Sequence, residues 1–412
     1  MYGDPVYRPL IALAILAATY LGLVLGRLPG FRVDRTGVAI IGATAMVVSG
    51  AIAWDAAVAS VDAHTLVLLF GMMMLAAYLR LSGFFGLVIE RSIALARTPI
   101  SLLAVIIVAS GVLSALFVND VVCLVLAPLV VQVTKRLRLP PVPYLLALAT
   151  AANVGSVATV TGNPQNMLVA SFSGIGYRQF LLREGPIAIL GLGCVFAVVW
   201  LTYRRELRTT MAPRAIESVT IHYPLMTKTL VVVAVMLVAF LTGVPVALVA
   251  ISGAAYSLLT RRVNPEKVYR EIDWSLLVLF TGLFVVVGGV ESSGLAGDLL
   301  KTAAVAPIQR PAVLMTVAAV LSNIVSNVPA VLLLKPVITS LGEPTRGWLL
   351  LATASTLAGN LTILGSVANV IVVEVARRER VEIGFVAYCR VGIPLTILTL
   401  LIGWVFLVSV PV

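Results

Sequence analysis

Apolar runs of spanning length recur from Leu10 to Val410, separated by short polar breaks. They predict membrane spans near 10–27, 37–53, 64–80, 144–176, 186–203, 228–242, 244–260, 274–291, 348–376 and 391–410. Two further segments, 101–134 and 310–341, each hold two apolar arms around a polar tip. Each arm is too short to span comfortably, which predicts a re-entrant hairpin. The expected fold class is an all-α polytopic membrane protein with about ten spanning helices, two re-entrant hairpins and two broken helices.

The pattern occurs twice. Leu113 to Pro128 aligns without gaps on Leu321 to Pro336 at a shift of 208. Leu148 to Val169 aligns on Leu351 to Val372 at a shift of 203, and Asp62 to Gly83 on Asp273 to Gly294 at a shift of 211. Nearly equal shifts in one order mean an internal duplication. The expected units are an N-terminal repeat over 1–203, a polar linker over 204–227 and a C-terminal repeat over 228–412.

Composition agrees with a membrane chain: 60% of the 412 residues are hydrophobic, 11% are charged, and the mean hydropathy is +1.08. Leu10 to Leu28 lacks a basic n-region and a small-residue cleavage site, so it reads as a retained span. The net charge of +11 would suggest nucleic acid in a soluble domain. Here it reflects charge bias across the membrane. If Arg27, Arg32 and Arg35 face the cytoplasm, 22 of the 29 Lys and Arg residues fall on that side and 7 on the other. That distribution requires the hairpins and makes the two repeats inverted. The first hairpin then enters from the cytoplasm, the second from outside, and both termini lie outside. Inverted repeats with polar, Gly-containing breaks point to a secondary transporter with its site at the repeat interface.

The candidate site residues are those breaks. Asn119-Asp120 forms the first hairpin tip, and Asn327, with Asn323 nearby, the second. Thr159, Thr161, Gly162, Asn163 and Asn166 surround one helix break, and Thr362, Gly365, Ser366 and Asn369 the other. Gly162 and Pro164 unwind a helix, and the freed backbone and new half-helix end can hold a ligand. Each break also has a plainer reading, as a satisfied tip or a simple kink; recurrence in both halves favours the site. Asp120 has Val328 at the matching position. An unpaired intramembrane carboxylate is the candidate proton carrier, the plainer reading being a helix cap. Cys123, Cys194 and Cys389 lack metal or disulfide spacing, and His64 and His222 lack partners, so no metal or cofactor is expected. Nor is a catalytic constellation visible, so no enzyme is expected.

The chain resembles the ion transporter superfamily over nearly its whole length, most closely the branch of arsenite permeases and sodium/proton antiporters of the NhaD type. Phe117 to Pro128 is similar to the Asn-Asp segment of arsenite permeases, and Ser322 to Leu333 to their Asn-x-Pro segment. The dicarboxylate/sodium branch has Ser-Asn-Thr at both tips, where this chain has Val118-Asn119-Asp120 and Asn327-Val328-Pro329. The resemblance implies a transporter of the cell inner membrane that exports arsenite and antimonite in exchange for protons. Its alternatives are sodium/proton antiport or carriage of a small inorganic or organic anion. Expected partners are the small solute, protons or sodium, and the bilayer, with room for a homodimer and a soluble ATPase subunit; nucleic acid is not among them.

Overall fold

The computed structural model describes residues 8–26, 31–212, 220–260, 263–294 and 308–410. The linker stretch 213–219, the terminal residues, and Arg27, Arg214, Arg261, Arg262 and Lys301 lie outside them. Regular structure among the described residues is entirely helical.

The first half comprises α1 (Arg8–Leu25), α2 (Arg35–Val48), α3 (Trp54–Ala59), α4 (Ala63–Leu81), α5 (Phe84–Leu95), α6 (Pro99–Leu116), α7 (Asn119–Arg136), α8 (Pro141–Ser156), α9 (Pro164–Ser173) and α10 (Tyr177–Thr202). The second comprises α11 (Tyr223–Leu241), α12 (Val246–Leu258), α13 (Pro265–Tyr269), α14 (Trp274–Ser292), α15 (Pro311–Val325), α16 (Asn327–Thr339), α17 (Pro344–Leu357), α18 (Val367–Arg378) and α19 (Phe385–Ser409). Seven of these helices are long and apolar enough to cross a bilayer.

The duplication is physical. Asp62 caps α4 by accepting from the His64 amide at 3.1 Å, and Asp273 caps α14 by accepting from Leu276 at 3.0 Å. Gly83 and Gly294, at φ +82° and +81°, follow the ends of the same two helices. The two halves also clasp each other. A Cβ on Gly71 of α4 would stand 2.8 Å from the backbone of Ala250 on α12. A Cβ on Gly282 of α14 would stand 2.9 Å from that of Ala39 on α2. Both pairs are related by the 211-residue shift, so each half packs the same glycine onto the other's second helix.

Three expectations need correction. The arms of the first hairpin are 18 residues each, and α6 alone is long enough to span. What makes the hairpin re-entrant is where its tip goes: Asn119 bonds Asn153 in the protein interior. The spans expected from 186 and 391 start earlier, at Tyr177 and Phe385, in 26- and 25-residue helices that hold Pro186 and Pro394 in their interiors. Proline is tolerated inside membrane helices where neighbours satisfy the freed backbone. Helices α3, α5 and α13 fill segments expected to be loops.

The hairpins exchange partners between halves. On one side Lys135 at the end of α7 donates to the Glu379 carbonyl at 2.8 Å and its carboxylate at 2.9 Å, at the end of α18. On the other, Lys335 of α16 pairs with Glu291 at 2.9 Å and lies 4.8 Å from the Phe172 ring centre on α9.

Candidate functional site

Both broken helices unwind at equivalent places. After α8 the chain passes through a single 3-10 turn, Val160–Gly162, before α9; after α17 it passes through two, Ala358–Asn360 and Ile363–Gly365, before α18. The unwinding strands backbone carbonyls inside the protein, where an unanswered polar group costs about 1–3 kcal/mol. Two asparagines at equivalent positions answer them. Asn166 donates its amide to the carbonyls of Ser156 (3.0 Å) and Thr159 (2.9 Å). Asn369 donates to Gly359 (2.7 Å) and Thr362 (3.1 Å), the same two positions 203 residues on. The glycines let the segments fold back: a Cβ on Gly162 would stand 2.2 Å from the Ser156 carbonyl oxygen. Gly162→Ala is therefore expected to destabilise the protein by about 1–3 kcal/mol, read as a lower melting temperature in detergent. An unchanged melting temperature would refute this packing.

Each break is also held from the other half. Asn153 of α8 donates to Asn360 (2.9 Å) and Asn369 (3.0 Å), and accepts from Ser366 (3.0 Å) and Asn119 (2.9 Å). Thr356, its counterpart on α17, accepts from Asn163 (3.3 Å) and Gln165 (3.1 Å) and donates to Asn166 (3.5 Å).

In front of this network lies a cavity of about 220 Å³. Asn119, Asp120, Gln165, Ser326, Asn327 and Ser366 line its depth, and Arg35 and Asp273 also belong to its wall. Both hairpin tips and the amino ends of both half-helices thus meet at one space. Ser326 has φ +80° and ψ 161°, a region almost reserved for glycine, so the second tip holds backbone strain at the cavity wall. A smaller cavity of about 80 Å³ is lined by Arg80 and Glu271 and shares Asp120 and Asp273 with the first.

Of the residues expected from sequence, Asn119, Asp120, Asn327 and Ser366 line the cavity. Asn163, Asn166 and Asn369 stand behind it with their amides spent on the breaks. Asn323 also braces a break, donating to the Ala358 carbonyl at 2.9 Å. Gly162 and Gly365 permit the close turns, and Thr362 supplies a carbonyl to Asn369. Thr159 and Thr161 point elsewhere: Thr159 donates to the Ala115 carbonyl, and Thr161 lies 3.4 Å from the Tyr177 hydroxyl.

Sequence reasoning missed Asn153, Thr356, Asn360, Gln165 and Arg35. Asn153 and Thr356 carried a signal, as polar residues at matching positions one turn before each break; Arg35 carried none. Asp120 is also not the only deep carboxylate. Glu184 of α10 is fully buried and accepts from Thr353 at 2.7 Å.

Around the other face, a cavity of about 290 Å³ is lined by His64, Thr65, Leu68, Val246 and Ala247. These match Ser275, Leu276, Leu279, Arg35 and Thr36 of the first cavity at the 211-residue shift. Val160 and Tyr177 also line it.

A membrane-embedded bundle of two inverted repeats, with hairpin tips and helix breaks around an interface cavity, defines a polytopic transporter. A model of the citrate transporter family matches residues 20–358, and the chain belongs to that family. It is 31% identical over 448 residues to the silicon efflux transporter LSI3 of Oryza sativa subsp. japonica, covering 91% of this chain and 92% of that one. It is 29% identical over 365 residues to the inner membrane protein YbiR of Escherichia coli, covering 86% and 90%. It is 25% identical over 489 residues to the putative transporter arsB of Dictyostelium discoideum, covering 90% and 86%. The YdaH transporter of Alcanivorax borkumensis shares the fold, with a TM-score of 0.62, 18% identity and coverage of 98% of this chain and 97% of that one.

Proposed function

We propose that this protein exports arsenite, and antimonite with it, across the cell inner membrane in exchange for protons, with Asp120 carrying the proton. The observation that carries this reading is the cavity where both tips and both breaks meet, walled by amides and hydroxyls together with Asp120, Asp273 and Arg35. Arsenite at neutral pH is an uncharged trihydroxide, which such a wall can hold by hydrogen bonds alone. Two relatives point the same way: one is named for silicon efflux, and silicon in neutral water is likewise an uncharged hydroxide; the other is named arsB.

The face bearing Arg35 and Asp273 is cytoplasmic on this reading, and both termini lie outside. The cavity with Asn119 and Asp120 then opens inward. Its repeat-related counterpart at His64 and Val246 opens outward on the same reading. A pair of cavities related by the repeat is what a carrier that alternates between two similar conformations would use.

Carriage of an organic anion is the second reading, favoured by the family's name and by Arg35 in the cavity wall. Purified protein exposed to arsenite, antimonite, sodium, citrate, sulfate and phosphate separates the two, since a bound solute stabilises the folded state. Arsenite and antimonite are expected to raise the melting temperature in the wild type and equally in Arg35→Gln. Stabilisation by citrate alone, lost in Arg35→Gln, would replace the proposal with the second reading.

A further inference from the structure

The hydrogen bonds behind the cavity have a fixed direction, and the direction starts at atoms that can only accept. The carbonyls of Gly359 and Thr362 take both amide hydrogens of Asn369. The Asn369 oxygen must then receive a hydrogen, and the Asn153 amide supplies it at 3.0 Å. With its other hydrogen on Asn360, Asn153 offers only its oxygen to Asn119, which donates at 2.9 Å. Asn119 is thereby committed with its nitrogen inward, and its own Oδ1, on a cavity-lining residue, has no partner among the described residues.

The other half repeats the relay. The carbonyls of Ser156 and Thr159 take the Asn166 amide, so its oxygen accepts, here from the Thr356 hydroxyl at 3.5 Å. Thr356 then accepts from the Gln165 amide at 3.1 Å. Gln165 also lines the cavity, and its oxygen is left without a protein partner among the described residues. At the second hairpin tip the protein fixes no direction. The single hydrogen of the Ser322 hydroxyl has two oxygens within reach, the Ser355 carbonyl at 2.9 Å and the Asn327 side chain at 2.5 Å, so Asn327 can present either end of its amide.

We infer that these amides set the specificity: the oxygens of Asn119 and Gln165, with Asn327 able to present either end of its amide, select a solute whose groups both donate and accept, the undissociated hydroxide of a weak acid. A fully deprotonated oxyanion such as sulfate brings acceptors only, so it leaves two amide oxygens unanswered and meets the carboxylates of Asp120 and Asp273, against the one guanidinium of Arg35. A bare cation brings no acceptor for an amide hydrogen and meets Arg35. A hydroxyl satisfies both kinds of partner. The inference rests on the cavity being the solute site, as proposed above, but not on the solute being arsenite or on proton coupling.

Equilibrium binding to purified protein at neutral pH tests it, with arsenous, boric and silicic acids as uncharged hydroxides and sulfate, selenate and sodium ion as the contrast. At least one uncharged hydroxide is expected to bind, and sulfate and selenate at least tenfold more weakly. Gln165→Met keeps the length but removes the oxygen, and is expected to weaken the hydroxide by about tenfold, the scale of one hydrogen bond. Thr356→Val removes the hydroxyl that holds the Gln165 nitrogen back. It is expected to narrow the preference for hydroxide over oxyanion by about tenfold, which a merely loosened fold would not do. Boric or silicic acid binding without arsenous acid would sustain the inference while ending the arsenite proposal. Sulfate, selenate or sodium binding as tightly as the hydroxides, or no hydroxide binding at all, would overturn it. So would a Gln165→Met protein with wild-type affinity and a Thr356→Val protein with wild-type preference.

Discussion

Asp120→Asn proteoliposomes are expected to bind arsenite with near wild-type affinity yet fail to accumulate it against its gradient when a pH gradient is applied. The substitution keeps size and hydrogen bonding but removes the titration. Asp120 stands where a coupling residue would have to stand. It is the first-turn carboxylate of α7 and lines both the larger cavity and the smaller one that Arg80 and Glu271 share. Arg80 and Glu271 form an ion pair there. An ionised carboxylate sealed beside an uncharged solute would lose water without gaining a cation, a cost it avoids by holding a proton. Exporting a neutral solute while a proton enters moves one positive charge inward, so the membrane potential drives the cycle. Coupled uptake is expected to fall by at least tenfold in Asp120→Asn, while downhill exchange of labelled solute persists. Retained uphill accumulation would remove Asp120 from the role and shift attention to a bound sodium ion or a partner ATPase.

The fold was legible in the sequence because a bilayer writes simple rules into a chain: apolar runs of set length, charge on one side, and repeats that must match in register. The paired Asp62 and Asp273 caps and the paired glycines at 83 and 294 could be read directly, since capping chemistry is local. The starts expected at 186 and 391 were late, because the first turns of those two helices carry Arg178, Arg183 and Arg390 and lie outside the apolar runs that mark a span. The breaks of the candidate site were legible through their Gly, Pro and Asn content. The division of labour among those asparagines was not. Asn119 and Asn327 line the cavity while Asn166 and Asn369 brace carbonyls, and only the three-dimensional partners of each amide separate the two tasks. Arg35 was invisible for a related reason. It belongs to a helix start far from either break in sequence, and the crossing of α2 over α14 brings it to the cavity.

Asn153→Leu is expected to be the most destabilising single substitution in the site, and to abolish transport with it. Asn153 is fully buried and makes four side-chain hydrogen bonds, to Asn119, Asn360, Ser366 and Asn369. Those partners come from the first hairpin and from both ends of the second half's break, so one amide joins three separately folded elements. Leucine matches its size but answers none of them. Asn360 and Asn369, both fully buried, would each lose a donor, and Asn119 and Ser366 an acceptor. At about 1–3 kcal/mol for each buried group left unmatched, and allowing for partial rearrangement, a loss of about 3–5 kcal/mol follows. That is a large share of the stability of any domain. Thr356→Val, at the equivalent position in the other half, removes one hydroxyl with three longer bonds and is expected to cost about 1–2 kcal/mol. The comparison is the test, because a simple loss of core packing would make the two alike. Melting temperatures in one detergent decide it. If Asn153→Leu falls no further than Thr356→Val, the amide is not the joint between the halves. If Asn153→Asp falls as far as Asn153→Leu, the donor side of the amide, toward Asn360 and Asn369, is what the joint depends on.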